Sequence, residues 1–282
     1  MVFSGRLRSP AAGSGAGPYA MLATLRTHWP LIWRLAKREL AARYRGSMLG
    51  ALWGLLTPLL MLSVYTFVFR TVFQARWSSN DASNGEFALL LFAGLILFNV
   101  FSECVTRAPG LMLENVSYIK KVVFPLEILP VVTLVVSLCN AATGFAILGL
   151  FYGPVFGAPP PTLLLLPLPL LPLCLLTLGL SWFLASAGVF LRDIRQFIGV
   201  AVTMLMFMSP IFYPSSVIPE SMQPVLMLNP LAPILEQARD LLFWGRLPDW
   251  PVWFLTTTVS ALCAWLGYLW FVKTRKGFAD VV

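Results

Sequence analysis

The chain has 282 residues, of which 58% are hydrophobic and only 11% are charged. Since soluble domains carry about 25% charged residues, this surface cannot be mostly exposed to water, and an ordinary soluble domain is excluded. The formal charge of +8 would suggest nucleic acid in a soluble protein. In a membrane protein, positive cytoplasmic segments and anionic lipid account for such a charge. We therefore expect membrane lipid around the chain and no nucleic-acid partner.

The N-terminal region divides into two predicted segments. Residues 1–20 are rich in Gly, Ala, Ser and Pro and lack the apolar core of a signal peptide, so we predict a disordered leader. In residues 21–47 a helical projection places Arg34, Lys37 and Arg38 on one face and two tryptophans on another. That pattern is typical of a helix in the headgroup plane, and we predict a cytoplasmic interfacial helix. The alternative is a plain cytoplasmic extension of the first membrane span.

Residues 48–282 are predicted to form one all-α transmembrane domain with six helices. No charged residue occurs between Arg45 and Arg70, and those 24 residues would rise about 36 Å as a helix, more than the roughly 30 Å of bilayer hydrocarbon. The predicted spans are 48–73, 87–106, 126–152, 162–190, 197–213 and 251–272. Cytoplasmic termini would place 16 of the 20 basic residues inside, as the positive-inside rule requires.

Residues 214–250, between the last two spans, are too long for a tight hairpin loop and too apolar for a free external one. Two short helices, at 221–228 and 233–243, are separated by Asn229 and Pro230. Neither can cross a bilayer. We predict a re-entrant helical pair in the external leaflet, with a helix lying on the external surface as the alternative.

Two glutamates near the ends of predicted spans have simple local explanations. Glu103 lies four residues before Arg107, which favours an ion pair within one helix. Glu127 follows Pro125 at the start of the third span and is expected to cap that helix.

The sequence contains none of the common catalytic patterns. There is no phosphate-binding GxxxxGK[ST] loop, no HExxH, no GxSxG and no clustered pair of carboxylates, and His28 is the single histidine. The four cysteines lack metal-ligand spacing. We therefore predict no catalytic, cofactor or metal site, and we expect the chain not to be an enzyme.

A short cytoplasmic segment before the third span carries apolar groups among charges. It is bounded by Pro109-Gly110 and Pro125. An exposed aromatic residue in this setting favours docking of a cytoplasmic partner, with a plain loop as the alternative. The predicted docking residues are Glu114, Asn115, Tyr118, Ile119, Lys120 and Lys121.

Five stretches, in this order, carry a resemblance to a known family: RYRGSMLGALWGLLTPLLMLSVYTFVF, NVSYIKKVVFPLEILP, FLRDIRQFIGV, SPIFYPSSVIP and NPLAPILEQAR. They extend from Arg43 to Arg239. The chain resembles the permease subunit of ABC-2 type exporters of lipid-linked polysaccharides, and most of all the O-antigen exporters. Capsular polysaccharide and teichoic-acid exporters are the near alternatives. A proton-coupled secondary transporter and a membrane enzyme acting on lipid-linked sugars are more distant ones.

The resemblance implies a homodimer of six-helix subunits in the bacterial cytoplasmic membrane, bound to two copies of a separate ATPase that carries ATP and Mg. It implies that the pore forms at the dimer interface and that residues 113–121 couple to the ATPase. It also places a cytoplasmic Arg-Asp pair at Arg192 and Asp193, where the alternative is a solvated turn. With Arg34, Lys37 and Arg38, this pair forms the predicted cytoplasmic gate.

The predicted substrate pathway follows aromatic and Met residues on the first and fifth spans. Aromatic rings can stack on the apolar faces of sugars without gripping one sugar, and Met can repack around a moving chain. The alternative is that these residues pack against helices or face lipid. The predicted pathway residues are Thr57, Met61, Tyr65, Phe69, Phe207, Phe212 and Tyr213.

Overall fold

The computed structural model describes residues 17–43, 53–68, 84–119, 124–191, 193–214 and 229–281. Within those ranges every regular element is a helix and no strand occurs, which confirms the predicted all-α class. Helices suit these apolar runs because a helix satisfies its backbone hydrogen bonds within one segment, as hydrocarbon surroundings require.

The described helices differ widely in length. Short 3₁₀ turns precede the third and fourth long helices, at Leu126–Ile128 and Pro161–Leu165, and a π-helical turn occupies Asp240–Trp244. The α-helices are α1 (Pro18–Arg43), α2 (Trp53–Thr66), α3 (Asn84–Glu114), α4 (Val116–Ile119), α5 (Leu129–Phe156), α6 (Pro167–Phe190), α7 (Ile194–Met208), α8 (Leu231–Arg239), α9 (Trp250–Thr274) and α10 (Phe278–Val281).

Four helical segments are long and apolar enough to cross a membrane: Gly85–Glu114, Leu126–Phe156, Pro161–Phe190 and Trp250–Gly277. They confirm the predicted second, third, fourth and sixth spans. The described parts of the predicted first and fifth spans are α2, with 14 residues, and α7, with 15. Both fall short of the 17 to 25 residues that a span needs, so the count of six stays a prediction.

Helix α3 forms the centre of the bundle, with α2, α5, α6 and α7 around it. Its apolar residues are buried on nearly every side, as expected for a helix that is hydrophobic all round. Helices α6 and α9 pack closely together. Their backbones can approach because Gly267 has no Cβ, which would otherwise collide with the Gly179 carbonyl oxygen. Small residues permit this close approach in membrane bundles.

Helix α1 begins at Pro18, so the last residues of the segment predicted as a disordered leader are helical. Proline suits the first turn, where its missing N–H needs no partner. Ile32 and Ala36 are buried against the bundle, whereas Trp29 and Trp33 stay 51% and 41% exposed. The apolar residues of α1 therefore form two faces, one packed on the protein and one, with the two tryptophans, open to the surroundings.

The segment between α7 and α9 is described in part. The predicted short helix at 233–243 corresponds to α8 and the π-helical turn that follows it. Several predictions lie outside the described residues. They concern the leader residues 1–16, the helix at 221–228, and the residues Phe69, Lys120, Lys121 and Arg192.

Candidate functional site

A cavity of about 720 Å³ lies between α2, α3 and α5. Its volume falls within the roughly 300–1,000 Å³ that is usual for small-molecule sites. Trp53, Thr57, Pro58 and Met61 of α2 form one side of the cavity, and Met206 of α7 also reaches it. The opposite side, which α3 and α5 form, carries the polar side chains Asn99, Ser102, Glu103, Ser137, Asn140 and Thr143.

The polar wall follows directly from helix geometry. On α3 the polar residues lie at 99, 102 and 103, and on α5 they lie at 137, 140 and 143. Residues three and four apart share one helix face, so each helix presents a polar stripe. The two stripes face the same cavity because α3 and α5 pack side by side.

Two asparagines of this wall lie near the midpoints of their spans, Asn99 in Gly85–Glu114 and Asn140 in Leu126–Phe156. The Asn140 Nδ2 atom donates to the Glu103 Oε2 atom over 3.4 Å. The Asn99 side chain is exposed and makes no hydrogen bond to any described residue. An amide left bare in hydrocarbon costs several kcal/mol, roughly 4–8 on a cyclohexane scale, so contact of this amide with lipid tails is unfavourable.

Two ion pairs join α1 and α3 at the end of the cavity. Arg43 pairs with Glu103, and Arg107 pairs with Glu39. Because residue numbers rise along α1 as they fall along α3, the two helices run antiparallel through this contact. A second, more open cavity of about 620 Å³ adjoins these ion pairs.

The predicted ion pair between Glu103 and Arg107 is therefore wrong, because each of them pairs with a residue of α1. Both side chains lie on α3 but point to partners on α1. The Arg107 Nε atom also lies 3.9 Å from the Oε2 atom of Glu114. The other carboxylate oxygen of Glu114 lies 3.7 Å from a guanidinium nitrogen of Arg195 on α7. Local spacing missed this network because it could not show that α1 folds back along α3.

Glu127 lies in the first turn of the 3₁₀ segment that leads into α5, as predicted, but no side-chain capping hydrogen bond forms there. Its carboxylate is mostly buried and accepts a hydrogen bond of 2.9 Å from Arg275, just beyond α9. Its backbone carbonyl accepts from the Trp182 indole of α6, also at 2.9 Å. Glu127 therefore joins three of the four long apolar helical segments.

The predicted docking segment packs onto its own subunit more than its sequence suggested. Tyr118 and Ile119 were expected to be exposed, but both are half-buried. The Tyr118 ring stacks on Phe124 with centroids 4.3 Å apart, and its hydroxyl accepts a 2.8 Å hydrogen bond from Arg38. The side chain of Asn115 donates to the Leu111 carbonyl. The surface left open near these residues includes Leu113 and Ser117.

The remaining residues of the predicted cytoplasmic gate lie at the surface. Arg34, Lys37 and Arg38 are exposed on α1, where the Lys37 ammonium lies 5.3 Å from the centre of a Trp33 ring. Asp193 is exposed and directly precedes α7, and its carbonyl accepts hydrogen bonds from the backbone N–H groups of residues 196 and 197.

The structure brings two of the seven predicted pathway residues, Thr57 and Met61, to the cavity. Phe207, Phe212 and Tyr213 form a separate cluster at the end of α7. The Phe207 and Phe212 rings are 5.6 Å apart, and the Tyr213 hydroxyl donates to the Phe207 carbonyl. Phe69 and the side chain of Tyr65 are not described.

Arg239, which no sequence motif singled out, is fully buried between α8, α3 and the end of α7. Its guanidinium donates to the backbone carbonyls of Leu90, Pro210 and Ile211. Gly94 leaves space for this group, since a Cβ there would collide with the guanidinium. An arginine in the apolar segment between the predicted fifth and sixth spans was the available signal.

The described residues include no group of three His, Cys, Asp or Glu side chains that could hold a metal ion. The expectation that the chain carries no cofactor stays a prediction.

Comparisons with known proteins agree with the transporter architecture. The profile of the ABC-2 type transporter family matches residues 30–243. The O-antigen export system permease protein RfbA of Myxococcus xanthus is 30% identical over 255 residues, which cover 89% of this chain and 95% of that protein. Two RfbA proteins of the same description from Klebsiella pneumoniae are each 26% identical, over 88% of this chain and 93% of their own length.

Proposed function

Since this chain belongs to the ABC-2 type transporter family, we propose that it is the permease subunit of an ATP-driven exporter of an O-antigen type, lipid-linked polysaccharide. The observation that carries the proposal is the similarity to three O-antigen export permeases over nearly the whole length of each. The family and these relatives indicate a transport subunit and not an enzyme.

The proposed assembly is a homodimer in the bacterial cytoplasmic membrane with two ATPase subunits. Six spans, cytoplasmic termini and an external re-entrant pair complete the proposed topology. The concentration of basic residues in the predicted cytoplasmic segments supports that orientation. ATP and Mg bind in the separate ATPase, because this sequence has no phosphate loop.

Deletion of the gene in the source organism tests the proposed function. We expect O-antigen to disappear from the cell surface while its lipid-linked precursor accumulates inside, and we expect a plasmid copy to restore export. Surface O-antigen that persists without the gene would contradict the proposal. Loss of a capsule or of teichoic acid instead would assign the permease to one of those polymers.

Purification tests the partner separately. The tagged permease should bring down an ATPase in equal amount, and ATP hydrolysis should appear only with that subunit. Hydrolysis by the pure isolated permease would overturn this division of labour.

A further inference from the structure

We infer that the cavity between α2, α3 and α5 is a carbohydrate subsite, in which the amides of Asn99 and Asn140 bind the hydroxyl groups of uncharged sugar units. The inference rests on the proposed function and assigns it a position within one subunit. It differs from the aromatic pathway that the sequence predicts, because the determining residues lie on α3 and α5.

The chemistry of the polar wall favours sugars. An asparagine amide offers two donor hydrogens and an acceptor oxygen, and a sugar hydroxyl also both donates and accepts. Ser102, Ser137 and Thr143 add hydroxyl groups to the same wall. A chain of hydroxylated rings can therefore exchange one set of hydrogen bonds for another as it moves.

The charge of the cavity favours a neutral ligand. The charged residues among those that line it are Arg43 and Glu103, and these two pair with each other. Phosphate groups are typically bound by arginine or lysine side chains, whereas the arginine among the lining residues is already paired with a carboxylate. The cavity thus suits the glycan better than the phosphate of its lipid carrier.

The α2 side of the cavity supplies the apolar half of a sugar site. Trp53, Pro58 and Met61 lie opposite the polar wall. Sugar rings have apolar faces and hydroxyl edges, so a ring between these walls can place each part against a matching surface. Met61 adds an adaptable contact.

Simple helix packing does not account for Asn99. Asparagines that stabilise membrane bundles donate to a neighbouring helix, and Asn99 makes no such bond within the described residues. Its mid-span position excludes the headgroup region as a source of partners. A polar residue in this position is a functional candidate by default.

Site-specific photo-crosslinking tests the subsite directly. Benzophenone-alanine replaces Thr143 on the cavity wall or, as a matched control, Thr258 on the exposed face of α9. Both threonines donate to the carbonyl four residues earlier in a long helix. In cells that make and export O-polysaccharide, we expect light to attach that polysaccharide at position 143 and lipid at position 258. Adducts at position 143 that contain only lipid, or only a second copy of this chain, would overturn the inference.

Substitution provides a second test, with surface O-polysaccharide as the readout. Asn99→Leu should lower the export rate roughly tenfold, the effect of losing about one strong hydrogen bond. Asn99→Ser should recover part of the rate, and Thr258→Leu should leave it unchanged. Wild-type export by Asn99→Leu would overturn the inference. If that variant does not accumulate in the membrane, the crosslinking result decides the question instead. A failed subsite with export that still requires the gene leaves the proposed function intact.

Discussion

At the scale of single residues, the buried charges bind groups that are distant in sequence. Arg239 donates to three backbone carbonyls on two other segments, and Glu127 links the start of α5 to Arg275. Two of the carbonyls that Arg239 binds, those of Pro210 and Ile211, lie beyond the end of α7, where carbonyls lack helical backbone partners. Arginine suits such junctions since its planar guanidinium carries five donors.

Replacement of Arg239 measures the strength of this junction. Arg239→Met should lower the free energy of unfolding in detergent by about 3 kcal/mol or more, since it leaves buried carbonyls without donors. Arg246→Met is the matched control, because that side chain is 72% exposed and lies 3.8 Å from Asp240. The control should change stability by no more than about 0.5 kcal/mol. Equal effects of the two variants would refute the structural role of Arg239.

At the scale of helices, the two ion pairs between α1 and α3 fix the position of the N-terminal helix beside the cavity. Exchange of the charges in the Arg43–Glu103 ion pair tests this contact. Arg43→Glu and Glu103→Arg should each lower stability, and the double exchange should recover about 0.5–1 kcal/mol relative to additivity, as for partly exposed pairs. A double-mutant cycle of thermal unfolding gives that value. Strict additivity would show that the pair contributes nothing.

The docking segment yields another prediction at this scale. Because Tyr118 and Ile119 pack on their own subunit, their replacement would disturb the segment itself. The exposed side chains of Leu113 and Ser117 are the better probes. Leu113→Asp and Ser117→Asp should each lower recovery of the ATPase in pull-downs about tenfold, while thermal unfolding of the permease stays unchanged. The exposed Gln196→Asp on α7 is the control, and full ATPase recovery with both variants would move the contact elsewhere.

At the scale of the whole molecule, hydropathy and length were enough to predict the all-α class and four spans, because both properties are local. The partners of Glu103, Arg107 and Glu127 could not be predicted, since they lie on helices far away in the chain. The polar wall is an intermediate case. Its three- and four-residue spacing on α3 was visible in the sequence, but the cavity it faces became apparent only once α5 and α2 were placed beside it.

The exposed faces of α7 and α9 bear on how subunits associate. Helix α7 exposes Phe197, Val200, Met204 and Phe207 along one face, yet it has 15 residues and is followed by the irregular segment 209–214. The backbone of residues 209–212 is buried within the subunit, so the part of this region left open is the helical face of α7. Helix α9 has 25 residues, enough to cross a bilayer surrounded by lipid. In the proposed homodimer we predict that the exposed face of α7 contacts the second copy and that the exposed face of α9 contacts lipid.

Cysteine crosslinking distinguishes these two faces in membranes that contain the assembled exporter. With the native cysteines replaced, Met204→Cys on α7 should form a covalent dimer upon mild oxidation. Leu262→Cys, on the exposed face of α9, should stay monomeric because lipid separates the two copies there. Both side chains are similarly open in the single subunit, at 61% and 51% exposure, so accessibility alone cannot produce the difference. Crosslinking through Leu262→Cys and not through Met204→Cys would place the subunit interface on α9 and leave the α7 face to lipid.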